Sequence, residues 1–382
     1  MKPKIYIIEP SKVGYQHIGL LRGYLKAFVQ SKKITESFDI IFMGSITTNS
    51  NLKREILLSS ITFVEITVID PHKRRFISKT VLEAIQVIKM ITAKKKKDVI
   101  LVTCLLPTSL ILVELANLIL KRNRIYIVLH GEIESISQEG EHPITDIGFW
   151  SRLWLKTRSR RSKIRLIVLG DFIKDGLRKY ASKIEVSVLT MAVESHPDSQ
   201  YTDSSQLFSS IFPQSEIPRV CFIGFRTKKK GFNEFEELAT QNLDKEFVAI
   251  GDGFIESISF KNSPKIVLKD NEAYLYAIQH CCAAIFAYTE GYSLTLSSAA
   301  MDAIAQGVPI IALDRPFFRS LNQYFGATMV DIKVSLEDIS RTIQSIKNID
   351  HGRRIRSLQR LSESKYSIKS LSCSIEDLFI NE

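Results

Sequence analysis

Short apolar runs alternate with longer amphipathic segments along most of this chain. Runs such as VILVTC and RIYIVLH are apolar almost throughout, which is typical of strands that helices cover on both faces. Between such runs, apolar residues recur at helical spacing, as in 80–91 and 109–120. Strands that alternate with helices predict βαβ units and a parallel, doubly wound sheet.

The alternation occurs twice, separated by a stretch rich in Ser, Asp, Gln and Pro. The first half predicts strands at 4–8, 39–43, 63–69, 98–104, 124–130, 164–169 and 185–189. The second half predicts strands at 219–224, 246–250, 265–268, 283–288, 309–313 and 328–330. At 382 residues the chain is too long for one ordinary core. We therefore expect an α/β protein with two Rossmann-like domains that face a cleft.

The predicted boundaries follow the change in composition. They are an N-terminal domain over 1–195, a linker over 196–217, a C-terminal domain over 218–350 and a helical segment over 351–382. The last segment is expected to pack back on the N-terminal domain. Ligands of such sheets bind at the carboxyl ends of the strands, so the site is expected there.

One region raises the question of a membrane span, because 99–120 is strongly apolar. Pro107, Thr108 and Ser109 interrupt it, and Glu114 and Asn117 fall in its second half. A buried strand, a turn and a helix that begins near Thr108 account for the region better than a span. The apolar stretch at the N-terminus is too short for a signal peptide.

The formal net charge is +11, which favours polyanionic partners. Aromatic residues do not alternate with the basic clusters, and no zinc-finger spacing accompanies them, so nucleic acid is not the expected partner. The five cysteines form neither a CxxC pair nor a disulfide framework, and we expect them to be buried in a reducing compartment. We expect a cytoplasmic location, with peripheral attachment to the inner face of the plasma membrane as the alternative.

A basic loop follows the first strand of the second half, in the sequence CFIGFRTKKKGF. Gly224 ends the strand, Arg226 and Lys230 lie in the loop, and a helix is expected from about Asn233. Cations together with free backbone amides at a helix start suit a diphosphate. The alternative is a solvated basic turn.

A second motif follows the strand at 283–288. Small residues lead into a helix, with Gly307 as its C-cap and Pro309 just beyond. Gly291, Ser293, Ser297 and Ser298 would let a phosphate approach the backbone, and Asp302 would accept hydrogen bonds from a ribose. The alternative is an ordinary βαβ crossover with serine caps. The candidate donor-binding residues are Gly224, Arg226, Lys230, Glu290, Gly291, Tyr292, Ser293, Ser297, Ser298 and Asp302.

These two motifs resemble the nucleotide-sugar-binding domain of GT-B glycosyltransferases, especially group 1 bacterial enzymes of surface polysaccharide assembly. MDAIAQGVPIIA is similar to the acidic helix and Gly-x-Pro pattern of that superfamily, and GFRTKKKGF to its Gly-Arg…Lys-Gly loop. The resemblance implies that Arg226 and Lys230 hold the diphosphate of a nucleotide-sugar and that Asp302 contacts the ribose. Motif-specific likeness is confined to roughly 219–315.

The chain departs from the widespread retaining group of that superfamily. That group has two glutamates with seven residues between them, whereas Glu290 and Asp302 here are separated by eleven. Retention or inversion is therefore not assigned. Without an Asp-x-Asp pair or a His/Cys cluster, we expect no metal and no cofactor, and cations must neutralise the leaving group instead. P-loop, dinucleotide and GxSxG patterns are also absent.

In the N-terminal half, candidate residues follow two predicted strands. Gly14, Tyr15 and His17 come after the first strand and are expected to contact the acceptor, unless the segment is only a helix-entry turn. His130 ends the strand RIYIVLH, and Glu132 follows it. His130, Glu132 and His17 are the candidate catalytic groups, since a base must take the acceptor proton. Glu134 is a further carboxylate alternative, and a purely structural histidine is the other interpretation of His130.

A basic segment over 150–163 contains two tryptophans. One interpretation is that this segment contacts an anionic membrane, which would carry a polyprenyl-diphosphate-linked acceptor. The other is that the tryptophans are buried in the domain. The sequence thus predicts a metal-independent glycosyltransferase that moves a sugar from a nucleotide-sugar to a glycan or lipid-linked acceptor in bacterial surface polysaccharide synthesis. The alternatives are a sugar-nucleotide epimerase of similar fold and a non-catalytic partner protein of GT-B type.

Overall fold

The computed structural model describes most of the chain. The described residues are 2–14, 17–55, 60–69, 76–121, 124–137, 147–158, 162–193, 217–251, 253–259, 265–268, 271–347 and 351–381. The chain divides into two compact units. The first comprises Met1–Ala192, Ser293–Leu296 and Ile368–Glu382, and the second comprises Val193–Tyr292 and Ser297–Ser367.

Each unit contains a seven-stranded sheet within its described residues. The strands of the first unit are β1 (Lys4–Ile8), β2 (Asp39–Gly44), β3 (Ile61–Glu65), β4 (Val99–Val102), β5 (Ile125–Leu129), β6 (Ile164–Val168) and β7 (Val186–Val188). Those of the second unit are β8 (Arg219–Ile223), β9 (Glu246–Gly251), β10 (Phe254–Ser257), β11 (Ile266–Val267), β12 (Ala283–Phe286), β13 (Ile310–Leu313) and β14 (Val330–Lys333).

Helices connect most of these strands. In chain order they are α1 (Ile18–Gln30), α2 (Lys32–Ser37), α3 (Ile46–Glu55), α4 (Phe76–Ala93), α5 (Pro107–Leu120), α6 (Ile147–Thr157), α7 (Asp171–Tyr180), α8 (Phe232–Gln241), α9 (Asn271–Gln279), α10 (Ser298–Ala305), α11 (Pro316–Phe325), α12 (Leu336–Gln344), α13 (His351–Glu363) and α14 (Ile368–Phe379). Two 3₁₀ turns also bear on the site, at Gly131–Ser137 and Lys228–Lys230.

The first sheet is parallel, with the order β3-β2-β1-β4-β5-β6-β7. The order reverses at β1, which lies between β2 and β4. Right-handed crossovers therefore put α4, α5 and α6 on one face of the sheet and α1 and α3 on the other. All residues of β4 and β5 are buried, which explains their unbroken apolar sequences.

The region over 99–120 folds as the strand, turn and helix that the sequence predicts. Strand β4 is followed by α5, which begins at Pro107 rather than after a Thr108 cap. Proline suits a first helical position because it has no N–H to satisfy there. No described helix is both long and apolar enough to span a bilayer.

The second sheet has the order β11-β10-β9-β8-β12-β13-β14. It is parallel from β9 through β8 and β12 to β14, whereas β10 pairs antiparallel with both β9 and β11. The two predicted α/β domains with mostly parallel sheets are thus confirmed. The sequence pattern did not predict β10, which follows β9 through a tight turn that includes Gly253.

The C-terminal helices belong to different units. Helix α13 lies in the second unit, whereas α14 packs on α1 in the first. Ser31 Oγ donates to Glu376 of α14 at 2.7 Å, and an Arg124 Nη atom donates to the carbonyl of Phe379 at 2.7 Å. These polar contacts fix α14 to the α1 side of the first sheet.

The cysteines are free, and they are not all buried as expected. Cys104, Cys221 and Cys281 are buried, but Cys282 is half-buried and Cys373 is exposed on α14. Cys373 lies on the outward side of an amphipathic helix, where no packing requirement excludes a small polar side chain.

Candidate functional site

In the first unit, ionisable side chains gather where three neighbouring strands end. Glu9 directly follows β1, Cys104 lies two residues after β4, and His130 directly follows β5. Because β1, β4 and β5 are adjacent and parallel, their carboxyl ends meet at one edge of the sheet. We call this group the first-unit cluster; it consists of Glu9, Lys12, His17, Cys104, His130 and Glu132.

Glu9 is the buried carboxylate at the centre of this cluster, and its side chain is fully enclosed. One oxygen accepts the backbone N–H groups of Ser11 and Lys12, both at 3.1 Å. The other accepts the hydroxyl of Thr103 at 2.8 Å and lies 3.2 Å from Nδ1 of His17. These partners satisfy the buried carboxylate and fix it in place.

His17 precedes α1 in a left-handed conformation, with φ 63°. Such a backbone is uncommon for a residue other than glycine and marks a position that the surrounding structure enforces. Since the Glu9 carboxylate can only accept, the contact assigns the proton of a neutral His17 to Nδ1. Its Nε2 atom is then left with a lone pair, as a base requires.

The structure brings His130 next to His17, with ring centroids 4.2 Å apart. The backbone N–H of Gly131 donates to Nδ1 of His130 at 2.7 Å. Burial and the neighbouring His17 together lower the pKa of His130 to about 3. His130 is therefore neutral at physiological pH, with its proton on Nε2, and its Nδ1 is occupied.

Glu132 forms an ion pair with Lys12, with Nζ 2.8 Å from Oε1, and accepts the Cys104 thiol at 3.3 Å. Burial alone would raise the pKa of Glu132, but Lys12 and the two histidines outweigh it and lower this pKa below its ordinary value. For Lys12, burial is outweighed by Cys104, Glu132 and Glu9, which raise its pKa. Glu132 is thus a paired anion, which makes it a poor proton acceptor.

Of the predicted acceptor-binding residues, Gly14 lies on the loop before α1. Its φ is +63°, no atom occupies the space where a Cβ would stand, and its N–H donates to Thr47 Oγ1 at 3.1 Å. Tyr15 lies outside the described residues. Glu9, Lys12 and Cys104 were not among the predicted site residues, although Glu9 and Cys104 follow strands just as His130 does.

In the second unit, neighbouring atoms lie close to both glycines of the loop after β8. A Cβ on Gly224 (φ +113°) would lie 3.0 Å from Nζ of Lys230 and 3.9 Å from the Cβ of Ala299 in α10. A Cβ on Gly231 would overlap the carbonyl of Ala287, just beyond β12. The loop after β8 and the start of α10 therefore meet at the carboxyl edge of the second sheet. In the sequence they were predicted as two separate motifs.

Arg226 is held by an acidic residue in the structure. Its guanidinium pairs with Glu256 of β10 at 2.5 Å and lies over the ring of Phe232, 5.6 Å from the centroid. Lys265 approaches the same carboxylate at 3.7 Å. Glu256 was not among the predicted site residues because β10, the strand that contains it, was not predicted from the sequence.

The loop after β12 is shaped by two residues of positive φ, Gly291 (78°) and Tyr292 (61°). Tyr292 stacks on Tyr288 with ring centroids 4.0 Å apart, and the Tyr288 hydroxyl lies 2.8 Å from Ser297 Oγ. Ser297 caps α10 by accepting from the backbone N–H of Ala300. Ser298, the first residue of α10, is exposed.

Asp302 and Glu290 have different surroundings. The Tyr274 hydroxyl donates to Asp302 Oδ2 at 3.1 Å, and burial together with this carboxylate raises the pKa of Tyr274. Glu290 is exposed and lies 3.7 Å from Lys229. Asp302 is therefore oriented by the half-buried Tyr274, whereas Glu290 is a solvated surface group.

A further cation at this edge was missed. Arg315 follows β13, and one of its terminal nitrogens donates to the carbonyl of Thr289 at 2.7 Å. The Thr289 hydroxyl in turn donates to the carbonyl of Lys228 at 3.1 Å. The position of Arg315 two residues after a predicted strand was the signal that could have identified it.

Ser293 is placed differently from the other candidate donor residues. The segment Ser293–Leu296 belongs to the first unit, where the Glu134 carboxylate accepts the backbone N–H groups of Ser293 and Leu294 at 2.9 and 2.7 Å. Two consecutive amides that hold a carboxylate form an anion-binding turn. Glu134 is thus a ligand of this turn and is buried there.

The arrangement supports anion binding and proton abstraction. The second unit presents Arg226, Lys230 and Arg315 at one sheet edge, and the first presents a carboxylate-oriented histidine. Among the described residues, no group of three or more His, Cys, Asp or Glu side chains is arranged to hold a metal ion.

Comparisons with solved structures match the whole chain. The structures include sucrose-phosphate synthase from Thermosynechococcus elongatus (TM-score 0.65, 13% identity, 100% of this chain and 99% of that one). Anabaena HepE in complex with UDP and glucose matches with a TM-score of 0.67 at 10% identity over 100% of both chains. WaaG, a glycosyltransferase involved in lipopolysaccharide biosynthesis, matches with a TM-score of 0.60 at 10% identity, over 99% of this chain and 100% of that one.

No protein-family model matches the chain, and no curated protein matches it in sequence. The structural likeness nevertheless extends over both units and nearly the full length of each compared chain. This protein therefore has the GT-B glycosyltransferase fold.

Proposed function

We propose that this protein transfers a glycosyl group from a nucleoside-diphosphate sugar to a hydroxyl of a glycan or polyprenyl-diphosphate-linked acceptor, in bacterial surface polysaccharide synthesis. The observation that carries the proposal is the approach of Lys230 to Gly224, with Arg226 and the start of α10 beside them. Cations, an open glycine backbone and a helix N-terminus are the groups that bind a diphosphate. Their place at the carboxyl edge of the second sheet is where α/β folds bind nucleotides.

The donor diphosphate is assigned to the second unit. Arg226 and Lys230 neutralise the charge that develops on the leaving diphosphate, so no bound metal is needed for that step. Asp302, oriented by Tyr274, accepts hydrogen bonds from the ribose hydroxyls. The compared structure of HepE, which contains UDP and glucose, supports a nucleotide-sugar as the donor class.

Proton abstraction is assigned to His17 in the first unit. Its Nε2 takes the proton of the acceptor hydroxyl while the oxygen bonds to the anomeric carbon and the bond from that carbon to the diphosphate breaks. Glu9 stabilises the imidazolium that forms, because its carboxylate accepts the Nδ1–H. A single displacement of this kind inverts the anomeric configuration, which the coupling constant of the product's anomeric proton would show.

Thermal shifts test donor binding first. The purified protein is melted with UDP, GDP, CMP and ADP and with their common sugars, since a ligand of the native state raises the melting temperature. We expect a shift with one nucleotide family and a reduced shift in Lys230→Ala and Asp302→Ala. Arg341→Ala, an exposed arginine of α12, is the control. Unchanged shifts in both site variants would refute the site assignment.

Turnover separates glycosyl transfer from the other functions. A glycosyltransferase releases nucleoside diphosphate faster when an acceptor such as a polyprenyl-diphosphate sugar is added. An epimerase converts the sugar-nucleotide without an acceptor, and a non-catalytic partner protein binds it without turnover. Either of the last two results would overturn the proposed function.

A further inference from the structure

Two neighbouring helices of the first unit expose an unusual number of large apolar side chains. On α4 these are Ile77, Val81 and Ile85, and on α5 they are Leu112, Leu115 and Ile119. We call these six residues the α4–α5 face. Ile119 is 82% exposed and Ile77 is 77% exposed, so these side chains are not the edge of a core. Contiguous apolar surface of this kind marks an interaction site in a folded protein.

The spacing of these residues shows that they form two stripes. Ile77, Val81 and Ile85 recur every four residues of α4, so they lie on one side of that helix. Leu112, Leu115 and Ile119 recur at three and four residues on α5. Because α4 and α5 pack against each other on the same face of the sheet, the stripes run side by side on the outside of the helical layer.

The exposed charged residues of α4 and α5, and of the segments that directly follow them, are basic. The acidic residues of α4 and α5 are Glu83 and Glu114, and both are buried. Glu83 accepts hydrogen bonds from Ser11 and Ser109, and Glu114 pairs with Arg158. Neither carboxylate is therefore presented on the outer surface of these helices.

Lysines, by contrast, surround one end of the face. Lys89 is exposed on α4, Lys121 is exposed at the end of α5, and the exposed lysines 95–97 follow α4. Arg124 links these two chain segments through the carbonyl of Lys97, at 3.5 Å. Since α4 and α5 both run antiparallel to the strands, their C-termini lie together at the amino edge of the sheet.

We infer that the α4–α5 face docks on an anionic lipid bilayer. Apolar side chains that enter the acyl boundary and lysines that meet acidic headgroups are the two contributions that attach a protein to such a surface. A bilayer matches both features of the face, and the net charge of +11 acts in the same direction.

This location differs from the one that the basic, tryptophan-containing segment suggested. Trp154 is buried, and its Nε1–H donates to Glu114 Oε2 at 3.1 Å. Arg158 of the same segment pairs with Glu114 at 2.9 Å. For Trp154, burial in the domain is therefore the correct alternative, and α6 supports α5 from the side.

Vesicle co-sedimentation tests the docking without any nucleotide or acceptor. The full-length protein is mixed with vesicles of phosphatidylcholine or of equal parts phosphatidylcholine and phosphatidylglycerol. We expect binding to the anionic vesicles to be at least about tenfold tighter and to weaken with salt. Equal or absent binding to both kinds of vesicle would overturn the inference.

Variants locate the surface. Leu115→Ser with Ile119→Ser is expected to weaken anionic-vesicle binding about tenfold or more, because two inserted side chains are lost. Leu243→Ser with Val334→Ser, which replaces two apolar residues of the second unit that are each 86% exposed, is the control and should bind as wild type. Lys89→Gln with Lys121→Gln is expected to weaken binding to the anionic vesicles and to leave binding to the phosphatidylcholine vesicles unchanged.

Two further results separate the outcomes. If light scattering shows a dimer that Leu115→Ser/Ile119→Ser converts to a monomer, the face is an interface between copies and the bilayer inference is wrong. Thermal shifts with nucleotides should be the same in these variants as in wild type. If the wild-type protein binds nucleotide but not anionic vesicles, this inference fails and the proposed function stands. If it binds anionic vesicles but no nucleotide, the proposed function fails and this inference stands.

Discussion

The Nδ1 atom of His17 lies 3.2 Å from Oε2 of Glu9, the fully buried carboxylate that follows β1. This contact determines which imidazole nitrogen carries the proton and which is left as a base. Glu9 is itself fixed by Thr103 and by two backbone amides. His17 is thus the oriented base of the first-unit cluster, and Glu9 is its positioning residue.

Replacement of either member should lower turnover without loss of donor binding. His17→Ala is expected to reduce kcat about a hundredfold or more, because the acceptor proton has no base. Glu9→Gln should cause a smaller loss of kcat, since it keeps an acceptor oxygen beside Nδ1 but removes the negative charge that stabilises the imidazolium. Acceptor-dependent release of nucleoside diphosphate measures both, and unchanged thermal shifts with nucleotide control for folding. Full activity in His17→Ala would exclude it as the base.

Acid should destabilise the protein through His130. Its pKa is about 3 in the folded state, because of burial and the adjacent His17, against 6.5 for an unperturbed histidine. Between these values the unfolded chain binds more protons, so stability is lost as the pH falls from about 6.5. In His130→Asn the free energy of unfolding should depend less steeply on pH in this range. Urea unfolding at several pH values measures this; identical slopes in both proteins would contradict it.

Sequence pattern alone predicted the two-domain fold because buried parallel strands are apolar nearly throughout. The strands β1, β4 and β5 were identified this way, and so was the strand-end position of His130. Prediction failed at β10, whose residues FIES are too few and too polar to show a strand pattern. The antiparallel edge of the second sheet, and Glu256 within it, were lost with that strand.

The two sites were predicted less completely than the fold, because the contacts that build the sites join distant parts of the chain. Glu134 meets the amide of Ser293 across 159 residues, and Glu9 meets Thr103 across 94. No local spacing indicates such pairs. Gly224, Arg226 and Lys230 were identifiable because a strand end, a glycine and a basic loop occur together within a few residues.

The turn over Ser293–Leu296 should depend on Glu134. Glu134→Ala leaves the amides of Ser293 and Leu294 without their carboxylate partner, at an expected cost of about 2 kcal/mol in the free energy of unfolding. Glu134→Gln keeps an acceptor oxygen and should recover part of that loss. Urea unfolding measures both, with Glu363→Ala on the exposed side of α13 as the control. Equal stability of Glu134→Ala and wild type would show that the contact contributes nothing.

Arg226 and Glu256 should affect nucleotide affinity in opposite directions. A diphosphate must compete with Glu256 for the guanidinium, so Glu256→Gln is expected to tighten binding several-fold. Arg226→Ala removes charge-assisted hydrogen bonds and should weaken binding roughly tenfold or more. Calorimetric titration with the nucleoside diphosphate that gives the largest thermal shift measures both, with Arg341→Ala as the control. Weaker binding in Glu256→Gln would mean that the ion pair orients Arg226 for the ligand instead of competing with it.

The loop after β8 should tolerate no side chain at Gly231. Its φ is +73°, and an added Cβ would lie 1.9 Å from the carbonyl oxygen of Ala287, so the backbone would have to move. Gly253 is the matched control, because its φ is +78° but nothing lies within 4 Å of an added Cβ. Gly253→Ala is expected to cost about 1 kcal/mol for its left-handed backbone alone. Gly231→Ala should cost at least about 3 kcal/mol and weaken nucleotide binding, since Lys230 precedes it. Urea unfolding compares the two variants, and equal costs would show that the loop after β8 is free to move away from β12.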